Sequence, residues 1–220
     1  MSRSSSQHGV GLIEVLVAVL LLSIAVLGFS ALQVRAVSAT DESLVRTKSL
    51  TLVRNLTEVM RAYPDAYVTG SGTGFSTASA SATGAIPLVQ AVAGIPEPES
   101  GDYSVSIDGT EISISGANNC LSAATVTDDG KEVPEQPCNI NQIAARDTLL
   151  VKQIAAEEDL DLAVVSCPAN TDQADIQRQM CVITAWNDTK AMLDNSDDDA
   201  CANSNGVYKN GSQCLISEAY

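Results

Sequence analysis

The order of apolar and polar positions divides the chain into three regimes. After a short polar start, "MSRSSSQHG", the segment from Val10 to Leu32 is almost pure hydrocarbon, with Glu14 its one charge. No charge occurs from Val15 to Val34, a run long enough for a membrane-spanning helix at about 1.5 Å per residue. Beyond Arg35 the pattern changes but helical periodicity persists: Leu44/Val45, Leu52, Leu56, Val59/Met60 and Tyr63 recur on one face. No proline or glycine interrupts Phe29 to Tyr63, and Pro64 supplies a stop. The pattern predicts one helix from Leu12 to Tyr63, roughly 80 Å long. Its lone interior glycine, Gly28, offers a place to bend.

Downstream the helical pattern ends. Residues 64–102 shift to Gly, Ser, Thr and Ala ("TGSGTGFSTASASATG") and read as an exposed, mobile loop. Its "GSGTG" lacks the GK[ST] that a phosphate-cradling loop requires. Alternation then sets in, with Val105/Ile107 and Ile112/Ile114 flanking Asp108-Gly109, a hairpin signal. A second helix is expected over 141–158, with Ile143, Leu150 and Ile154 inward. "DLAVVSC" and "MCVITAW" fit antiparallel strands, and Asn210-Gly211 suggests a terminal hairpin. The expected fold class is α+β, one long N-terminal helix packed on an antiparallel sheet.

Charge and cysteine content sharpen this picture. The net charge of −15 argues against nucleic-acid binding through phosphates. The acidity is uneven: the outer helix, 35–63, is slightly basic, whereas from Pro64 onward six basic residues face 23 acidic ones. Solubility accounts for such a surface, and an acidic head could also meet basic stalks of neighbours. All six cysteines (Cys120, Cys138, Cys167, Cys181, Cys201, Cys214) lie in the last half without a CxxC pair. An even set beyond a membrane segment implies disulfides and an oxidising compartment. Fifteen connectivities are open, and the sequential one, in which each bond closes a local loop, is the expectation. Zinc is disfavoured because the single histidine, His8, is remote.

The N-terminus departs from a secretory signal, since the apolar run is too long and no small-residue cleavage site follows it. Positive charge ahead of the segment places this end in the cytoplasm and the rest outside, where disulfides form. The stretch "GVGLIEV", Gly9–Val15, resembles the class III signal of type IV pilins and pseudopilins, usually G-F-T-L-I-E. The resemblance implies cutting by a prepilin peptidase between Gly9 and Val10 and N-methylation of Val10. It also implies that Glu14 sets the register of assembly by pairing with the new amine of an adjacent subunit. A carboxylate inside a hydrocarbon span costs about 2.5–3.5 kcal/mol at the centre and less near an end. The helix N-terminus and a neighbouring amine would offset it. Further on, "RTKSLTLVRNLTEVMRAYPDAY", "VVSCP" and "CVITAWND" resemble the PilV family of type IV pilus modification proteins.

The implied layout is a leader over 1–9, a transmembrane helix half over 10–34, an exposed helix half over 35–63, the loop over 64–102 and a disulfide-braced head over 103–220. The implied function is that of a minor pilin that helps prime pilus assembly at the inner membrane, can be incorporated at the pilus tip, and supports adhesion and twitching motility. Its partners would be the prepilin peptidase, other minor pilins, the major pilin and the assembly machinery. The alternatives are a pseudopilin of a type II secretion system and an uncleaved, membrane-anchored periplasmic binding module. Neither catalysis nor a cofactor is expected, because His8 leaves with the leader and the carboxylates form no acid/base pair. "DNSDDDAC", Asp194–Cys201, is the best calcium candidate, but it lacks the EF-hand glycine and closing glutamate and reads as a solvated turn. Trp186 reads as a core anchor.

Overall fold

The computed structural model describes residues 11–98, 102–115, 120, 125–134, 138–168 and 179–219. The chain divides into two compact units, residues 1–47 and 48–220. Helix α1, Leu12–Ala62, begins in the first and ends in the second. It runs unbroken through Gly28, where an added Cβ would meet nothing within 4 Å. Hydroxyl residues are accommodated by bonding back one turn: Ser23 Oγ donates to the Val19 carbonyl at 2.8 Å and Ser30 Oγ to that of Val26 at 2.9 Å. Each hydroxyl is thus satisfied without solvent, as an apolar helix requires.

In the first unit every large apolar side chain of α1 is exposed, including Leu16, Leu20 and Leu27. The helix is long and apolar enough to cross a membrane. In the second unit the same helix buries one stripe, Ser49, Leu52, Val53 and Leu56. Pro64 follows its end, and the chain turns directly into strands.

Most of the segment 64–102, expected as a loop, is regular structure over its described part, residues 64–98. It contains β1 (Tyr67–Ser71), β2 (Gly74–Ala78), β3 (Ile86–Pro87) and the short helix α2 (Leu88–Ala93). One buried anchor per strand suffices: Val68 on β1 and Phe75 on β2 enter the core, with Leu88 and Val92 from α2 beside them. The glycines serve the hairpin geometry. At Gly70 φ is +131°, and a Cβ there would lie 2.5 Å from the Gly74 carbonyl oxygen. Gly70→Ala is therefore expected to cost about 1–3 kcal/mol, read as a lowered melting temperature. An unchanged melting temperature would show that the hairpin relaxes freely.

A five-stranded sheet, ordered β3-β1-β2-β4-β5, is completed by β4 (Ser104–Ile107) and β5 (Thr110–Ser113). The β4–β5 hairpin turns at Asp108-Gly109, both at positive φ, as a two-residue turn of this type requires. β2 and β4 run parallel, so the sheet is mixed. A separate hairpin joins β6 (Thr125–Asp128) to β7 (Lys131–Pro134).

Helix α3, Ile140–Glu157, starts at a capping box: Asn139 Oδ1 accepts from the Gln142 amide at 2.8 Å, and Gln142 Oε1 accepts from that of Asn139 at 2.9 Å. Its inward face differs from the expected one. Ala144, Ala145, Thr148, Leu149, Val151, Lys152 and Ala155 are buried, whereas Ile154 is exposed and Ile143 and Leu150 sit on the margins. Small residues let α3 pack closely, and they displace the bulky ones to its flanks.

The remainder is a three-stranded antiparallel sheet, ordered β12-β9-β8, from β8 (Leu160–Ser166), β9 (Met180–Trp186) and β12 (Cys214–Glu218). Central strand β9 is buried along its whole length. The short strands β10 (Lys190–Leu193) and β11 (Ala200–Ala202) pair in parallel beside it. Asn210-Gly211 does form a turn, but the expected terminal hairpin is absent, because β12 pairs with β9 and Tyr208 bridges to Ala202. The disulfides join Cys120 to Cys138, Cys167 to Cys181, and Cys201 to Cys214. The whole is an α+β architecture.

Candidate functional site

The N-terminal segment carries the candidate site. Glu14 occupies the first turn of α1, and its amide donates to the Gly11 carbonyl at 2.9 Å. The helix N-terminus favours an acid at that position. Gly9 and Val10, the expected cleavage and methylation positions, and the leader over 1–9 lie outside the described residues. The stretch following Glu14 exposes a continuous apolar surface, far larger than a water-soluble monomer normally presents. It can be covered by lipid or by like helices.

The outer part of α1 is laced with short-range ion pairs: Arg46 to Glu42 at 2.9 Å and Arg61 to Glu58 at 3.3 Å. Lys48 pairs with Glu158 at the end of α3, and the Tyr63 hydroxyl donates to Asp147 Oδ2 at 3.0 Å. Burial and the adjacent Asp147 hold the Tyr63 phenol above its ordinary pKa.

In the acidic loop 194–201 the carboxylates of Asp194 and Asp197 are occupied by the protein itself. Asp194 accepts from the amide and hydroxyl of Ser196, both at 2.6 Å, and Asp197 accepts from Lys190 Nζ at 2.7 Å. Lys209 Nζ donates to the carbonyls of Asn195, at 3.1 Å, and Asp197, at 2.6 Å. An ammonium thus takes carbonyl oxygens of the kind calcium would use. Among the described residues no group of His, Cys, Asp or Glu is arranged to hold a metal ion. The hydrogen bonds from Ser196 hold Asp194 below its ordinary pKa, and the Lys190 bond does the same for Asp197. Such depressed carboxylates stabilise the fold above the unfolded value, and that stability is lost as pH falls through the folded values. The loop is expected to keep its amide-exchange protection at neutral pH and to lose it first below about pH 3.8. Protection that began to fail near pH 6 would point to a different titrating group.

Trp186, at the end of β9, is 8% exposed, in keeping with a core anchor. Two lysines escape a reading by motif. Lys152 lies on the buried face of α3, in step with Thr148 and Ala155, so helical spacing alone could have placed it inside. Nothing local marks Lys209, whose acceptors lie 12 and 14 residues away.

Comparison with known families agrees with the N-terminal geometry. Residues 4–30 match the prokaryotic N-terminal methylation motif, and residues 31–92 match the family described as type IV pilin Tt1218. No curated protein and no solved structure matches the chain significantly. The methylation motif implies prepilin peptidase processing and pilin partners in general, and the apolar helix suits membrane anchoring followed by a place in a pilus. The two adjoining matches, together with a pilin-like α+β fold built on a long N-terminal helix, support the type IV pilin superfamily, whose members are structural proteins rather than enzymes.

Proposed function

We propose that the chain is a minor pilin of PilV type that helps prime pilus assembly at the inner membrane and enters the filament, supporting adhesion and twitching motility. In this reading the head is periplasmic before assembly and the N-terminus cytoplasmic. The observation that carries the proposal is Glu14, placed in the first turn of a continuous helix whose next 20 residues carry no charge and expose their apolar side chains. After cleavage at Gly9, Val10 supplies a methylated amine one turn from Glu14. The carboxylate of one subunit can then pair with the amine of the next, and in low dielectric that pair favours a single register. The large disulfide-braced head supplies the specific contacts with other minor pilins and the major pilin. Its size favours the pilus over a type II secretion pseudopilin.

Intact-mass and N-terminal peptide mass spectrometry of membrane-extracted, unreduced protein tests the reading. The expected chain begins at methylated Val10 and lacks six cysteine protons. A chain retaining Met1–Gly9 in cells with active prepilin peptidase would leave a signal-anchored periplasmic module instead. Recovery from sheared filaments distinguishes the pilus from a secretion system.

A further inference from the structure

In the second unit, α2, the end of α3, the start of β8 and the turn after β9 surround a cleft of about 740 Å³. That size lies within the range of small-molecule sites. Lys152 lines the cleft and is only 6% exposed. Its Nζ donates to the Ala93 carbonyl at 2.8 Å and lies 5.5 Å from the centroid of the Tyr103 ring. An ammonium has three donors, and among the described residues the other two have no hydrogen-bond acceptor. Leaving buried charged donors unmade is costly, so the geometry asks for an acceptor inside the cleft. Burial depresses the Lys152 pKa, while Asp161 and Glu97 act to raise it.

The lining has the opposite sign. Glu97, Asp159, Asp161 and Asp188 all border the same cleft. Asp161 is committed to the fold, because its two oxygens accept from the Leu162 and Ala191 amides, each at 2.9 Å. Glu97, Asp159 and Asp188 are exposed, and no ion pair among the described residues involves them. A simple anion would satisfy Lys152 but be repelled by these acids. A simple cation would suit the acids but leave the lysine donors unmet. A ligand carrying a carboxylate and more than one positive group answers both demands.

We propose that this cleft binds a basic amino acid, its carboxylate on the two free Lys152 donors and its positive groups among Glu97, Asp159 and Asp188. The inference does not rest on the pilin reading and stands or falls independently of it. It is tested on the full chain in detergent micelles by equilibrium dialysis against labelled L-arginine, with agmatine as the same cation lacking a carboxylate. Trp186 borders the cleft and is the sole tryptophan, so its emission locates the bound molecule. L-arginine is expected to bind saturably at one site per chain, with agmatine about tenfold or more weaker for want of the charge-assisted bonds to Lys152. The Glu97→Gln/Asp188→Asn variant alters two exposed side chains and is expected to fold normally and bind arginine about tenfold less tightly. No saturable binding of arginine up to about 10 mM, equal binding of agmatine, or unchanged binding by the double variant would each overturn the proposal.

Discussion

Replacing Cys201 and Cys214 together by alanine is expected to lower the melting temperature of the full chain by roughly 6–12 °C, more than the same change at Cys120 and Cys138. Closing a loop of this length constrains the unfolded chain by about 3 kcal/mol. The three bonds span 18, 14 and 13 residues. The loop-length contribution differs by only about 0.3 kcal/mol between the longest and the shortest, so it cannot rank them. Packing does. Cys201 is fully buried in a small core with Ile183, Ala185 and Ala191, against which Cys214 and Ile216 also pack. Its bond ties β11 to β12, and therefore the two-stranded β10–β11 sheet to the three-stranded one. With so few apolar residues in this core, alanine at both positions removes a cross-link and leaves a void. Cys120–Cys138 joins only partly buried side chains, so the same double substitution there is expected to cost less. Parallel thermal melts of the double variants check the ranking. An equal or smaller loss at Cys201–Cys214 would show that the loop-closure contribution dominates after all.

Legibility in the sequence followed the length scale of each interaction. Helix α1 was readable to within a residue of its C-terminal end, because apolar spacing and Pro64 are local signals. The turn at Asp108-Gly109 was equally plain, since two positive-φ positions select those residues. The strands within 64–102 were hidden, because each of β1 and β2 buries a single residue while mostly small and polar residues, glycine, serine and threonine among them, fill the rest. Composition there describes the solvent face, and the pairing is fixed by the register Val68 to Thr77 and by α2 behind it. In α3, periodicity found the helix but bulk misjudged its face. Ala144 and Ala145 share a core with Ala91 and Val92 of α2, a demand set by the neighbour rather than by α3 itself. At Asn210-Gly211 the turn was legible but not the partner of the strand it precedes. Glu14 stood out because a lone charge in a hydrocarbon run is anomalous on its face. Lys152 and Lys209 did not, because their acceptors are carbonyls that only the folded chain brings near.

Glu14→Val is expected to leave the protein abundant in the membrane yet reduce its recovery from sheared filaments by more than about 100-fold on the proposed reading. The substitution removes the one charge in the span, so insertion becomes easier rather than harder. The head begins well beyond residue 14, and its melting temperature should not move. On the proposed reading, what is lost is the partner of the Val10 amine in the next subunit. Leaving that amine unpaired in a low-dielectric filament costs roughly 3–5 kcal/mol, which the exposed apolar stripe of α1 cannot restore because lateral packing of leucine and valine tolerates many registers. Glu14→Asp should fall between the two, since it keeps the charge but shortens the reach by one methylene. Immunoblots of membrane and sheared-filament fractions from the same cells separate assembly from expression, and the processed mass of each variant separates assembly from cleavage. Wild-type recovery of Glu14→Val in filaments would remove Glu14 from any register-setting role and leave the apolar face of α1 as the sole determinant of docking. Loss of the variant from membranes as well would place the carboxylate in insertion or processing, upstream of assembly.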